Sequence, residues 1–133
     1  MLKETQTPIE VRYAETDQMQ IVHHSNYAIY FEQARVDWLR KQGMQYDKLE
    51  KEGVMLPLIK LEVNYKKPTV FGDKILVKTF LEKIPSVKIS FDYFIYNDKN
   101  ELLTKGKTVH AFVSSETRRP MRCPQSILDL LSD

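Results

Sequence analysis

A change of hydrophobic period partway along the chain limits the folds open to it. Tyr27, Tyr30, Phe31, Ala34 and Trp38 recur at i, i+3, i+4, i+7 and i+11, one face of an α-helix. Glu32, Gln33, Asp37, Arg40 and Lys41 occupy most of the remaining surface, and Gly43 is placed to end the helix. Further on the period becomes two. Ile59, Leu61, Val63 and Tyr65 alternate with Lys60, Glu62, Asn64 and Lys66, the pattern of a half-buried strand. A helix with one apolar face must bury it, and the sheet is the surface available.

The remaining elements fill in around this pair. Ile9, Val11 and Tyr13 alternate with Glu10 and Arg12 as a short first strand. A second, short helix is predicted from Tyr46 to Glu52, before Gly53. Pro68 to Asp73 supplies turn chemistry with Gly72-Asp73 at its tip. Ile75 to Ile84 reads as a strand with apolar residues on both faces. Val87, Ile89, Phe91, Tyr93 and Ile95 alternate in the next, and Asn97 to Asn100 form a hairpin loop. Leu102 to Val113 is the last long strand, with Gly106 marking a bulge or a close approach. Ser126 to Leu131 closes with a helical turn or two. Consecutive hairpins imply a mainly antiparallel sheet. The expected architecture is α+β: one domain over residues 1–133, a curved sheet wrapped around a long central helix.

Composition excludes several classes. At 133 residues and 42% apolar content the chain can bury one core. A net charge of +2 argues for neither nucleic acid nor an anionic membrane. No apolar run reaches the ~18 residues of a membrane helix, and the first residues lack a signal-peptide core. Cys123 is the one cysteine, which fits a reducing compartment and makes cytoplasm the default expectation. No metal site is expected, because a metal needs more ligands than the His23-His24 pair and Cys123 offer.

Chemistry concentrates between the first strand and the long helix, from Glu15 through Asp17, His23, His24, Ser25 and Asn26 to Tyr27. The first amides of a helix lack intrahelical partners and carry the positive end of its dipole. Ser25 or Asn26 can cap this one. Amides from His24 to Tyr27 would then face a carbonyl oxygen in the manner of an oxyanion hole, with a carboxylate nearby to attack or to activate water. On spacing alone, Asp17 reads first as a turn aspartate bonding its own backbone. His23 and His24 are neighbours and cannot face one ligand from an extended segment. His110 alternates with Val109 and Ala111 and reads as a packed or pocket-edge histidine.

Residues 12 to 35 resemble the signature of the 4-hydroxybenzoyl-CoA thioesterase family, in particular its YbgC-like acyl-CoA thioesterase branch. The shared elements are Arg12-Tyr13, Thr16-Asp17, His24-Ser25-Asn26-Tyr27 and Phe31-Glu32-Gln33-Ala34-Arg35, in the family's order and spacing. Tyr65-Lys66-Lys67-Pro68 and Gly72-Asp73 look like its strand-turn-strand segment, and the likeness runs from about Ile9 to Val113. It implies a hotdog fold and hydrolysis of an acyl-CoA to a carboxylic acid and CoA. Asp17 aligns with the catalytic aspartate, as nucleophile or general base, and His24 with a histidine common in the branch. Gln20 stands where the family usually has glycine, which predicts an altered loop path or substrate fit.

The resemblance further implies a homo-oligomer, a dimer or dimer of dimers, with the site at the subunit boundary. The two apolar faces of residues 75–84 agree with such a contact. Tyr13, His23, Asn26 and Tyr27 are expected to support the site. Met55, Leu56, Leu58 and Ile59 are expected to close the acyl pocket from the partner chain, whereas Phe31 is expected in the core. Lys66, Lys67, Arg118, Arg119 and Arg122 are candidates for the CoA phosphates. No cofactor is required, since coenzyme A arrives as part of the substrate. Two other functions share these residues. One is a hotdog hydratase or dehydratase using Asp17 and His24 as an acid/base pair. The other is a non-catalytic acyl-CoA binding module, although no DNA-binding segment gives such a sensor an output.

Overall fold

A computed structural model describes residues 2–132. The chain runs β1 (Leu2–Glu10), α1 (Ser25–Lys41), α2 (Tyr46–Lys51), β2 (Val54–Met55), β3 (Leu58–Tyr65), β4 (Lys74–Leu81), β5 (Lys88–Tyr96), β6 (Leu102–Ala111), β7 (Val113–Ser114) and α3 (Gln125–Leu131). Five strands form one antiparallel sheet in the order β1-β4-β5-β6-β3, and β2 pairs with β7 in a small second sheet.

The central helix meets every strand of the large sheet. Trp38 Nε1 donates to the Lys3 carbonyl of β1 at 2.7 Å, and α1 packs along β4. The Trp38 ring stands edge-on to Phe91 of β5, with centroids 5.2 Å apart. Phe31 lies over Gly106 of β6, and Tyr27 meets Tyr65 of β3 edge-on at 5.1 Å. A sheet that touches one helix from both edges and the middle is wrapped around it. This is the expected hotdog architecture.

Gly106 is a close approach rather than a bulge. A Cβ there would lie 2.2 Å from Phe31 Cζ, while the strand keeps regular register with both neighbours at this point. The Phe31 ring is fully buried and stacks on Tyr93 at 4.4 Å, so it has nowhere to retreat.

Five expectations need correction. Strand β1 begins at Leu2 and ends at Glu10; Val11 lies past its end and Tyr13 sits in a 3₁₀ turn (Tyr13–Glu15), 69% exposed. Asp37, placed by period on the wet face of α1, is buried because β1 covers it. Thr7 donates to its carboxylate at 2.5 Å, and Arg40 and Lys41 pair with it. Burial opposes ionisation of Asp37, but the bonds from Thr7, Lys41 and Arg40 outweigh it and hold the carboxyl below its ordinary range.

The two apolar faces of β4 are largely covered within the chain. Ile75, Val77 and Leu81 face the core, while Phe80 packs edge-on against Phe94 at 5.4 Å. That strand therefore offers no argument for a partner. Strand β3 does the opposite of what its alternation predicts. Leu58, Ile59, Leu61 and Tyr65 are 49%, 51%, 42% and 55% exposed, because β3 is the sheet's edge and α1 reaches only its Tyr65 end closely. Finally, the last long strand breaks at Phe112. The chain turns there, and β7 joins β2 instead of lengthening β6.

Candidate active site

The segment between β1 and α1 is tied down at both ends. Thr16 and Val22 form a bridge, and the Asp17 amide donates to the Ile21 carbonyl at 2.8 Å, closing a tight loop. Asp17 Oδ1 accepts the Met19 and Ile21 amides at 2.8 and 3.2 Å. Its other oxygen has no partner among the described residues, and the side chain is exposed. The turn reading is thus met: one oxygen holds the loop, and the other faces solvent.

Gln20 completes this loop at φ +63°, the left-handed region that favours glycine. Gln20 thus holds a glycine-type backbone conformation with a side chain in place. Two bonds to the β3–β4 connection hold it: Phe71 donates to the Gln20 carbonyl at 3.0 Å, and Val22 donates to Thr69 at 2.8 Å.

Beneath the loop lies Glu15, which the motif contains but to which sequence reasoning gave no role. It is buried, and its carboxylate accepts the Arg12 amide at 2.9 Å, the Tyr30 hydroxyl at 2.9 Å and the Arg12 guanidinium at 3.0 and 3.1 Å. Burial works against the charge, but the bonds from Arg12 and Tyr30 prevail and its pKa falls below the ordinary value. Burial and this neighbouring carboxylate together raise the Tyr30 hydroxyl, so it stays a donor. The Glu15 carbonyl also accepts the His23 amide and the Asn26 side-chain amide, both at 2.9 Å. One residue thereby joins the segment just after β1, the second turn of α1 and the start of α1. The available signal was the spacing of Arg12 and Glu15, three residues apart across a turn.

The helix start differs from the expected cap. Neither Ser25 nor Asn26 caps it; both lie inside α1. His23 takes the role instead, its Nδ1 accepting the Ser25 amide at 3.2 Å with the Ser25 hydroxyl 2.9 Å away. The Asn26 and Tyr27 amides donate to the His23 and His24 carbonyls. Of the four amides expected to face a carbonyl, that of His24 alone has no acceptor among the described residues. His24 is already helical at φ −56°, so the segment is not extended, and the two imidazoles lie side by side with centroids 4.1 Å apart. The geometric ground for separating them therefore falls away. Asn26 is a clamp to Glu15 and His23.

Two clefts gather part of the candidate set. One of about 300 Å³ is lined by Ile21, Val22, His24, Tyr27, Tyr65, Lys66, Lys67 and Pro68, uniting the helix start with two of the expected cations. Tyr27 is buried there and its hydroxyl donates to Thr69 at 3.2 Å. Lys67 is paired with Glu101 at 2.5 Å. A second cleft, about 660 Å³, is lined by Tyr46, Glu50, Met55, Leu56, Pro57, Ser115 and Arg118. Leu58, Ile59, Arg119 and Arg122 line neither; the first two stand exposed on β3. His110 is packed rather than at a pocket edge: it is buried, with Nδ1 3.1 Å from the Leu56 carbonyl. A larger cavity of about 730 Å³ between β1 and the outer side of α1 holds none of the candidates. Among the described residues, no three His, Cys, Asp or Glu side chains converge as metal ligands do.

Known proteins are similar to this chain over most of its length. The DHNA-CoA thioesterase of Staphylococcus aureus superposes with a TM-score of 0.88 at 40% identity, over 95% of this chain and 85% of that one. YneP of Bacillus subtilis (strain 168), whose name assigns it provisionally to the acyl-CoA thioesterases, is 38% identical over 91% of this chain and 88% of its own. The acyl-CoA thioester hydrolase YbgC of Escherichia coli O157:H7 is 27% identical over 91% of this chain and 90% of its own. Residues 11–131 match the thioesterase-like superfamily, and with Asp17, His24 and the α1 start all inside that span, the chain belongs to it.

Proposed function

We propose that this chain hydrolyses acyl-CoA thioesters to a carboxylic acid and CoA. The observation that carries the reading is the Asp17 carboxylate, held by one oxygen and free at the other, on a loop fastened to the start of α1 beside the His24 cleft. The thioester carbonyl would accept the free His24 amide, within the positive field of the helix start. Asp17 then attacks the carbonyl carbon, expelling the CoA thiolate and leaving a mixed anhydride that water opens. Alternatively it takes a proton from water as the water attacks. Single turnover in ¹⁸O-water reveals the first route where water opens the anhydride at the Asp17 carboxyl carbon. That opening leaves an enzyme oxygen in the acid and ¹⁸O on Asp17, whereas the general-base route puts ¹⁸O in the acid. Lys66 and Lys67 lie where CoA phosphates would approach, with Lys66 the less engaged. No metal or redox group takes part. The lone thiol, Cys123, is buried, and that burial raises its pKa to about 11, in keeping with an unreactive thiol in the cytoplasm.

The reading includes a dimer built on the β3 edge. Two copies pairing antiparallel along this edge would set the Leu58 end of one strand beside the Tyr65 end of the other. Met55, Leu58 and Ile59 of one chain would then close the His24 cleft of its partner, and pairs of dimers would complete a tetramer. Asp17→Asn tests the chemistry. Turnover should fall ~10²-fold or more, the scale of losing one acid/base group. The Oδ1 acceptor, and with it the loop and the melting temperature, should be kept. Hydrolysis at the parent rate in Asp17→Asn would remove Asp17 from the mechanism.

A further inference from the structure

The peptide that joins His23 to His24 is held from both sides. Just before it, the His23 amide donates to the Glu15 carbonyl at 2.9 Å. The oxygen of the peptide itself, the His23 carbonyl, accepts the Asn26 amide at 3.0 Å and the Asn26 side-chain nitrogen at 3.3 Å. The peptide is trans, so the His23 C=O and the His24 N–H point in opposite directions. Asn26 draws the carbonyl toward α1. The His24 N–H is therefore turned outward from the helix start, and it has no acceptor among the described residues. His24 lines the 300 Å³ cleft.

Asn26 reaches beyond this peptide. Its side-chain nitrogen also donates to the Glu15 carbonyl at 2.9 Å, the shorter of its two bonds. Both partners are carbonyl oxygens, so the side-chain amide must present its nitrogen to them. Glu15 gives a firm anchor: it is buried, and its carboxylate is bound by the Arg12 amide and the Tyr30 hydroxyl. Asp17 follows two residues later. One side chain thus ties the segment that carries the Asp17 carboxylate to the peptide that carries the free N–H. Helix capping does not account for it. A capping side chain accepts from the first amides of its helix, whereas Asn26 donates, to carbonyls that precede α1.

We propose that Asn26 is a positioning residue for thioester hydrolysis: by joining Glu15 to the His23–His24 peptide, it aims the His24 N–H at the substrate carbonyl and fixes it relative to Asp17. The proposal rests on the thioesterase reading and adds the side chain that sets its geometry. A fixed amide stabilises developing charge when it is aimed before the reaction begins. A misplacement of ~1 Å can cost about 10²-fold in rate. Asn26 acts through His24 and touches no reacting atom.

Asn26→Ala tests this in the intact protein. The fold should survive, because the Glu15 and His23 carbonyls each keep a backbone donor. With the faster of benzoyl-CoA and hexanoyl-CoA as substrate, kcat should fall about 10- to 100-fold while KM stays within about threefold. A second readout is the infrared stretch of the ¹³C-labelled thioester carbonyl, bound to the Asp17→Asn protein so that turnover is slow. It should lie at lower frequency than in water, and adding Asn26→Ala should return it toward the water value. Asn26→Ser, whose hydroxyl is too short to span both carbonyls, should behave alike and serves if the Ala variant does not fold. A parent-like kcat in the variants, or a carbonyl stretch that they leave unmoved, overturns the proposal. So does a lowered melting temperature with kcat and the stretch intact, which would make Asn26 a support of the fold alone. If the parent hydrolyses neither substrate, the thioesterase reading fails by itself. The carbonyl stretch, compared between the parent and Asn26→Ala, then still decides for or against Asn26.

Discussion

Strands β5 and β3 have the same alternating pattern and opposite fates. In β5, Ile89, Phe91, Tyr93 and Ile95 are all buried, between β4 and β6 on the sides and α1 above. In β3 the corresponding apolar set stands open, with β6 its one neighbour. Alternation states that a strand has an apolar face; the number of neighbours decides whether the same chain covers it. The β5 region therefore holds the fold together, whereas the β3 region leaves its apolar face open and is the edge on which the proposed dimer is built.

Substitutions can break that division or sharpen it. The largest effect is expected in β5: Phe91→Ala should cost about 3–5 kcal/mol in urea unfolding, since the ring is fully buried against Trp38. A loss under about 1 kcal/mol would show that β5 does not anchor the core. Gly106→Ala should follow at about 1–3 kcal/mol or more, because its methyl meets the Phe31 ring; calorimetry of the Gly106→Ala, Phe31→Leu pair should recover part of the loss.

His110 belongs to both regions, opposite Ile89 of β5 and Leu58 of β3. Its folded pKa, about 4, is below the ordinary 6.5, so between these values the unfolded chain binds a proton that the folded one refuses. Stability should be intact above pH 6.5 and fall by on the order of 1–3 kcal/mol as pH drops to 4. His110→Gln should flatten that segment of the profile; the same slope in the variant would assign it to other groups. Glu15 and Asp37, held below their ordinary 4.5 and 3.8, lose their contributions as pH falls from those values toward their lower folded ones. The smallest effect on the protomer is expected at Leu61→Asp, under about 1 kcal/mol, as an exposed site should behave. Sedimentation of this variant should nevertheless show dissociation, and an unchanged oligomer would move the interface away from β3.

The reasons for what sequence showed and concealed differ along the chain. The helix period and the Asn97–Asn100 hairpin were legible because both signals are local. The position of β3 at the edge was not, because it depends on β6 pairing it more than forty residues downstream along the chain, as Leu61 opposite Thr108 shows. In the site, Asp17 and the segment to Tyr27 were legible through motif residues close in sequence. The clamp of Glu15 on Tyr30 was hidden in the turn between β1 and α1, and the burial of Asp37 and Arg35 in contacts with β1 and β5. A charged residue gives the same letter wet or dry, and only its distant neighbours settle which it is.

The pairing of β1 with β4 sets a schedule for the newborn chain. Ile9 finds its partner at Ile75, yet α1, the two residues of β2 and all of β3 are made in between. At about 5–20 residues per second, the first strand and the apolar side of the helix emerge several seconds before the strand that shelters them. During that interval the helix can hold its shape only weakly, and β1 has no strand to join. Production of this protein should therefore respond to translation speed and to factors that hold nascent chains, more than its modest size suggests.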